Sequence, residues 1–192
     1  MRFNFSSHEK NDILKAWVAI SFAFGILISR GFNANFLFNF IISFITVGIG
    51  FLFHELAHKF VAQKYRYFAE FRADNKMLLI AIVSAFFGFI FAAPGGVIIE
   101  GNINKKIYAK IAAAGPFLNI IIALLFLGIT SFNSIALKNI GQYGFTINSW
   151  LALFNLIPIF PFDGEKIVRG DKKIYFCLLI ISLSLMFLPL FR

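Results

Sequence analysis

The segment FHELAHKF, Phe53 to Phe60, places two histidines and a glutamate at the end of the apolar run NFLFNFIISFITVGIGFLF. Ionisable side chains set in hydrocarbon are expensive and mark function. On a helix, His54 and His58 are four residues apart, so both imidazoles face one side and can share one tetrahedral zinc ion. Glu55 lies beside them, able to take a proton from a zinc-bound water. The alternative is a pair of core histidines near an interface. Inside an apolar helix, two neutral histidines and a carboxylate need strong compensation, which a divalent cation supplies.

A catalytic zinc wants three protein ligands and leaves a position for water. His8 is the remaining histidine, at the N-terminus and outside the membrane. The other acids are Glu9, Asp12, Glu70, Asp74, Glu100, Asp163, Glu165 and Asp171. Most fall among lysines and arginines in polar loops and read as solvated. Asp163 differs, because it ends the apolar stretch FNLIPIFPFDGEKI. Pro158 and Pro161 break a helix there, and Gly164 permits a sharp turn. Such a break can aim a carboxylate back into a bundle; a plain helix-ending turn is the competing reading. The lone cysteine, Cys177, sits in an apolar run, which excludes disulfides and a cysteine-based zinc site.

The elements that must position these residues read as membrane. The chain has 192 residues, 59% hydrophobic and 14% charged, against about 25% charged in soluble domains. Its mean hydropathy is +0.81. Apolar helices are predicted over Asp12–Ser29, Phe36–Gln63, Lys106–Phe132, Phe145–Ile159 and Ile174–Leu190, with a further apolar run over Met77–Ala93. The stretch KYRYFAEFRADNK suits a short interfacial strand, and VIIEG has strand character. The expected fold is an all-α polytopic membrane protein, a single domain over residues 1–192. It has about five to six transmembrane helices, a short β element and a re-entrant segment near Met77–Gly101. The first span reads as uncleaved, without a small-residue cleavage site.

The net charge of +9 lies in short loops between spans, where it signals topology rather than nucleic-acid binding. If Met77–Ala93 crosses, ten basic residues fall on one side and eight on the other. If it dips in and turns back at Pro94–Gly96, the division becomes fifteen against three. The second arrangement obeys the positive-inside rule and puts the N-terminus in the cytoplasm.

Three motifs in order, HELAH, GPFLN (Gly115–Asn119) and NLIPIFPFDG (Asn155–Gly164), resemble the site-2 protease family of intramembrane zinc metalloproteases. The resemblance is to a prokaryotic, archaeal-type, minimal form of the family, without a PDZ or regulatory domain. The resemblance implies that His54, His58 and Asp163 bind one zinc ion per chain and that Glu55 is the catalytic base. It implies that Asn155 holds the substrate backbone, and that Asn119, in the Gly-Pro-x-x-Asn element beside the site, is a second substrate-binding residue. Here Glu165 follows Asp163 and Gly164 where many family members have a second glycine. The implied activity is hydrolysis of peptide bonds within or near transmembrane helices of single-span membrane proteins. It takes place in the cell membrane, with the site opening to the cytoplasm and the bilayer as surroundings. The outer helices could form a lateral gate or simply pack. A zinc-stabilised membrane protein that binds transmembrane helices without cutting them is the alternative, and a transporter a third reading. Retention of Glu55 speaks against the non-enzyme, and the clustering of polar residues at one depth speaks against the transporter.

Overall fold

The computed structural model describes residues 4–90 and 95–188. Among these the chain forms α1 (Ser7–Ser29), α2 (Phe36–Ser43), a π-helical stretch (Phe44–Gly48), α3 (Ile49–Lys64), β1 (Phe68–Ala73), α4 (Asn75–Ala85), β2 (Gly95–Glu100), α5 (Lys105–Ile129), α6 (Ile135–Asn155), α7 (Asp163–Gly170) and α8 (Lys172–Phe187). α2, the π stretch and α3 run on as one helix, Phe36–Lys64. Among the described residues three helices are long and apolar enough to cross a membrane: Ser7–Ser29, Phe36–Lys64 and Lys105–Ile129. Five to six spans were expected. α6 and α8 supply the other candidates, but α6 begins ten residues before the predicted Phe145 and takes in Lys138, Asn139 and Gln142. The described part of α8 is 16 residues long, somewhat short of the roughly 20 a bilayer core asks for.

The π stretch has a local cause. The indole Nε1 of Trp17 donates to the carbonyl of Phe44 at 3.0 Å, and the two rings stack 4.4 Å apart. A β-carbon at Gly48 would stand 2.4 Å from the same indole, so glycine lets α1 approach the wide turn. One extra residue in a turn rotates the rest of the helix by about 100°. The π stretch therefore helps to set the face on which His54 and His58 emerge.

β1 and β2 form a two-stranded antiparallel sheet with Phe68 opposite Glu100 and Ala73 opposite Gly95. Of the apolar run Met77–Ala93, α4 takes in the residues up to Ala85, and Gly88 then turns the chain with φ +87°. At 1.5 Å per residue its 11 residues reach about 16 Å. Residues 91–94, which include the expected turn residue Pro94, lie outside the described residues. The chain returns at Gly95, paired with the residue from which it left.

The N-terminus holds a correction. Most of the acids other than Asp163 read as solvated, and Glu9 does not fit that reading. It is 1% exposed, pairs with the equally buried Lys59 on α3 and accepts from the Phe71 amide at 2.9 Å. Asp12 accepts from the Ala73 amide at 3.4 Å. These two carboxylates, one helical turn apart on α1, cover the outer edge of β1. The outer edge of β2 carries no such cover among the described residues.

Apolar packing divides into patches around this frame. Ala16 and Ile20 of α1 pack with Val47, Phe71 and Leu78. On the other side Ala112, Ile120 and Ala123 of α5 pack with Phe145, Ala152, Ile167, Tyr175 and Leu178. Residues of both patches, Ile20 and Val47 on one side and Ala112 on the other, line the cavity that also holds His54, His58 and Asp163.

Candidate metal centre

α3 supplies His54 and His58, both buried. α7 supplies Asp163, its first residue, also buried. The proline-interrupted stretch after α6 ends in an extended Phe162, and α7 then begins. A β-carbon on Gly164 would lie 2.2 Å from the Leu156 carbonyl oxygen. Glycine is thus what lets the first turn of α7 fold tightly against the end of α6. That contact aims Asp163 inward, and a carboxylate in a first turn also suits the helix dipole.

The ligand atoms converge. Nε2 of His54 lies 3.0 Å from Nε2 of His58, and Oδ2 of Asp163 lies 3.2 Å and 3.0 Å from them. The hydrogen bonds behind the rings decide what these atoms can do. Nδ1 of His54 donates to Oδ1 of Asn119 at 2.6 Å, and Nδ1 of His58 donates to the Ile111 carbonyl at 2.8 Å. Each neutral ring then has an unprotonated Nε2, so two nitrogen lone pairs and a carboxylate oxygen point at one place. Three acceptors that close repel one another unless a cation lies among them. Their separations are within a few tenths of the roughly 3.4 Å between ligands around a tetrahedral zinc. The donor set fits the metal, and among the described residues these three form the group able to hold one.

Asn119 departs from its expected role. It was expected at the substrate, but it is wholly buried and its amide is spent within the protein. Oδ1 faces His54, while Nδ2 donates to the Gly50 carbonyl and to Oδ1 of Asn148, both at 3.1 Å. Asn148, also wholly buried, donates in turn to the Gly144 carbonyl at 2.8 Å. Metal-binding histidines commonly have such a partner, which fixes the tautomer and the ring plane. Sequence reasoning missed Asn148; an amide on an apolar helix was the available signal.

Gly115 leaves the room this arrangement needs. A β-carbon there would stand 2.5 Å from Nε2 of His58 and 2.6 Å from Nε2 of His54. The site opens into a cavity of about 880 Å³ lined by His54, Glu55, His58, Asn155, Asp163 and Lys166, with Gly95, Gly96, Val97 and Ile99 along one wall. Glu55 comes to within 4.0 Å of where a Gly96 β-carbon would be. Asn155 is half-buried at the wall, and its Nδ2 donates to the Leu151 carbonyl at 2.9 Å. Glu165 pairs with Arg169 one turn on.

The chain is 41% identical over 178 residues to a Methanocaldococcus jannaschii protein provisionally named a zinc metalloprotease, covering 90% of each chain. The chain belongs to the zinc metalloproteases. A second M. jannaschii protein, named a zinc metalloprotease, is 34% identical over 132 residues, 66% of this chain and 33% of the other. The metalloprotease thus spans about a third of that longer relative. No family model and no solved structure matches it. The His54, His58 and Asp163 cluster could hold the metal ion such an enzyme requires, and the two histidines are on a helix apolar enough to cross a membrane.

Proposed function

We propose that this metalloprotease is an intramembrane zinc endopeptidase of the site-2 type, cutting single-span membrane proteins within or near their transmembrane helices. The observation that carries the proposal is the position of the HExxH turn. It lies on a helix apolar enough to cross a bilayer, with Asp163 brought to it from the far end of the chain. His54, His58 and Asp163 hold the zinc, and Glu55 lies beside them in the cavity wall. When bound, zinc supplies Lewis acidity to the scissile carbonyl and to the attacking water. Glu55 accepts a proton from that water as its oxygen bonds to the carbonyl carbon. It then passes the proton to the leaving nitrogen as the C–N bond breaks.

A substrate helix must unwind to present a peptide bond. The amides of Phe71 and Ala73 point away from β2, toward Glu9 and Asp12. Antiparallel pairing alternates, so Gly95, Val97 and Ile99, opposite Ala73, Phe71 and Ala69, turn their backbone groups to the outer edge of β2. These residues line the cavity, where an extended substrate can add as a further strand. The Asn155 side-chain carbonyl has no hydrogen bond to protein among the described residues, leaving it able to accept from a substrate amide.

The segment between the strands is read as re-entrant, and the pairing of Ala73 with Gly95 supports that reading. Loop charge supports a cytoplasmic N-terminus and a site opening to the cytoplasmic side of the cell membrane. The test is zinc analysis of detergent-purified protein together with cleavage of single-span substrates by wild type and Glu55→Gln. The expected result is about one zinc per chain in both and turnover lowered at least about a hundredfold in the variant. Equal cleavage by the two proteins would mean that another group is the base. Zinc without any cleavage would favour a non-catalytic zinc protein that binds transmembrane helices.

A further inference from the structure

Asp163 uses its two oxygens differently. Oδ2 faces the two imidazole nitrogens, while Oδ1 lies 3.2 Å from Nζ of Lys166, one turn along α7. The Lys166 side chain is 27% exposed and lines the cavity, with its ammonium 5.8 Å from the centre of the Tyr108 ring. A carboxylate can bind a metal through one oxygen or both. A charged hydrogen bond to one oxygen competes with the metal for it. A catalytic zinc needs three protein donors and an open position; two histidines and one oxygen meet that count, and a second oxygen would exceed it.

We propose that Lys166 is a positioning residue that restricts Asp163 to ligation through Oδ2, keeping a coordination position open for water. The inference rests on the zinc-site reading. Nothing in the HExxH motif or in the proline-aspartate turn points to it; it depends on the separate contacts of the two oxygens.

The test uses full-length protein in detergent with zinc replaced by cobalt(II), whose visible absorption is intense when four-coordinate and weaker when five-coordinate. Wild type, Lys166→Met, Lys166→Gln and Lys166→Arg are compared for metal content, spectrum, and kcat and KM separately. Wild type should show the intense spectrum. Lys166→Met and Lys166→Gln should retain metal, show the weaker spectrum and lose about 10- to 100-fold in kcat with little change in KM. Lys166→Arg should restore the intense spectrum. Metal retained with a wild-type spectrum in both Lys166→Met and Lys166→Gln overturns the inference. So does loss of metal from both, because Lys166 would then secure binding as such. A wild-type protein that takes up no metal overturns the zinc-site reading itself.

Discussion

Gly115 of α5 lies so close to His58 of α3 that a β-carbon on it would stand 2.5 Å from the imidazole Nε2. The neighbours are ring atoms held by hydrogen bonds from behind, so they cannot swing aside as a flexible chain end would. Gly115→Ala is therefore expected to force the two histidines apart and lower zinc affinity by about 10- to 100-fold. Metal titration with a competing chelator measures this. Wild-type affinity in the variant would mean that α5 moves as a body at little cost.

The two asparagines expected at the substrate should separate experimentally. Asn119→Leu removes the acceptor for Nδ1 of His54 and leaves Asn148 without its donor. Zinc affinity and activity should fall together, by about 10- to 100-fold. Asn155→Ala removes an amide at the cavity wall without touching the ligands, so turnover should fall while zinc content stays at the wild-type value. Loss of zinc from Asn155→Ala would place that residue behind the ligands instead.

The metal triad was legible because its signals were local. The i,i+4 spacing fixes a helical face, and two prolines before Asp163 with a glycine after it mark a break in the helix there. The features that stayed hidden depended on distant packing. Nothing in the N-terminal sequence shows that Glu9 meets Lys59, 50 residues away. Lys59, next to His58 in an apolar helix, was the available cue, since a buried ammonium requires a partner. The end of α4 at Ala85 was obscured because the apolar run continues past it, and hydropathy does not show where a helix yields to a turn. Asn119 was assigned to the substrate side by resemblance; only the packing of α3, α5 and α6 shows its amide turned to His54.

The Glu9–Lys59 pair should matter more when broken than when removed whole. Glu9 joins three elements, accepting from Lys59 on α3 and from the Phe71 amide on β1 while sitting in α1. Glu9→Ala leaves a buried ammonium and a buried amide without that partner, and should cost about 3–5 kcal/mol. The combined Glu9→Leu and Lys59→Met replacement should recover much of the loss. Thermal unfolding in detergent checks both. A Glu9→Ala melting temperature equal to wild type would show that the other partners of Lys59, among them the Asn4 carbonyl at 2.7 Å, hold its ammonium without the carboxylate.

Strand pairing, loop charge and one close helix contact lead to one expected topology. Ala73 faces Gly95 across the sheet, so the chain between them leaves and returns at one end of β1 and β2. At the other end of β2 the chain enters α5 at Lys105, and a β-carbon on Gly170 would lie 2.2 Å from the Lys105 carbonyl oxygen. The start of α8, two residues beyond Gly170, therefore shares a side with the start of α5. Lys76, Lys105 and Lys172 are expected in the cytoplasm and Lys138, in the first turns of α6, outside. Each is changed singly to cysteine in a Cys177→Ser background and probed on intact cells with a membrane-impermeant thiol reagent. The position-138 cysteine alone should label. Labelling at position 105 but not at 76 would show that the stretch between the strands spans the bilayer, against the pairing of Ala73 with Gly95. Labelling at both 105 and 172, with 138 protected, would invert the whole protein and leave the ligand geometry unchanged, because the relation of α5 to α7 does not depend on which side faces the cytoplasm.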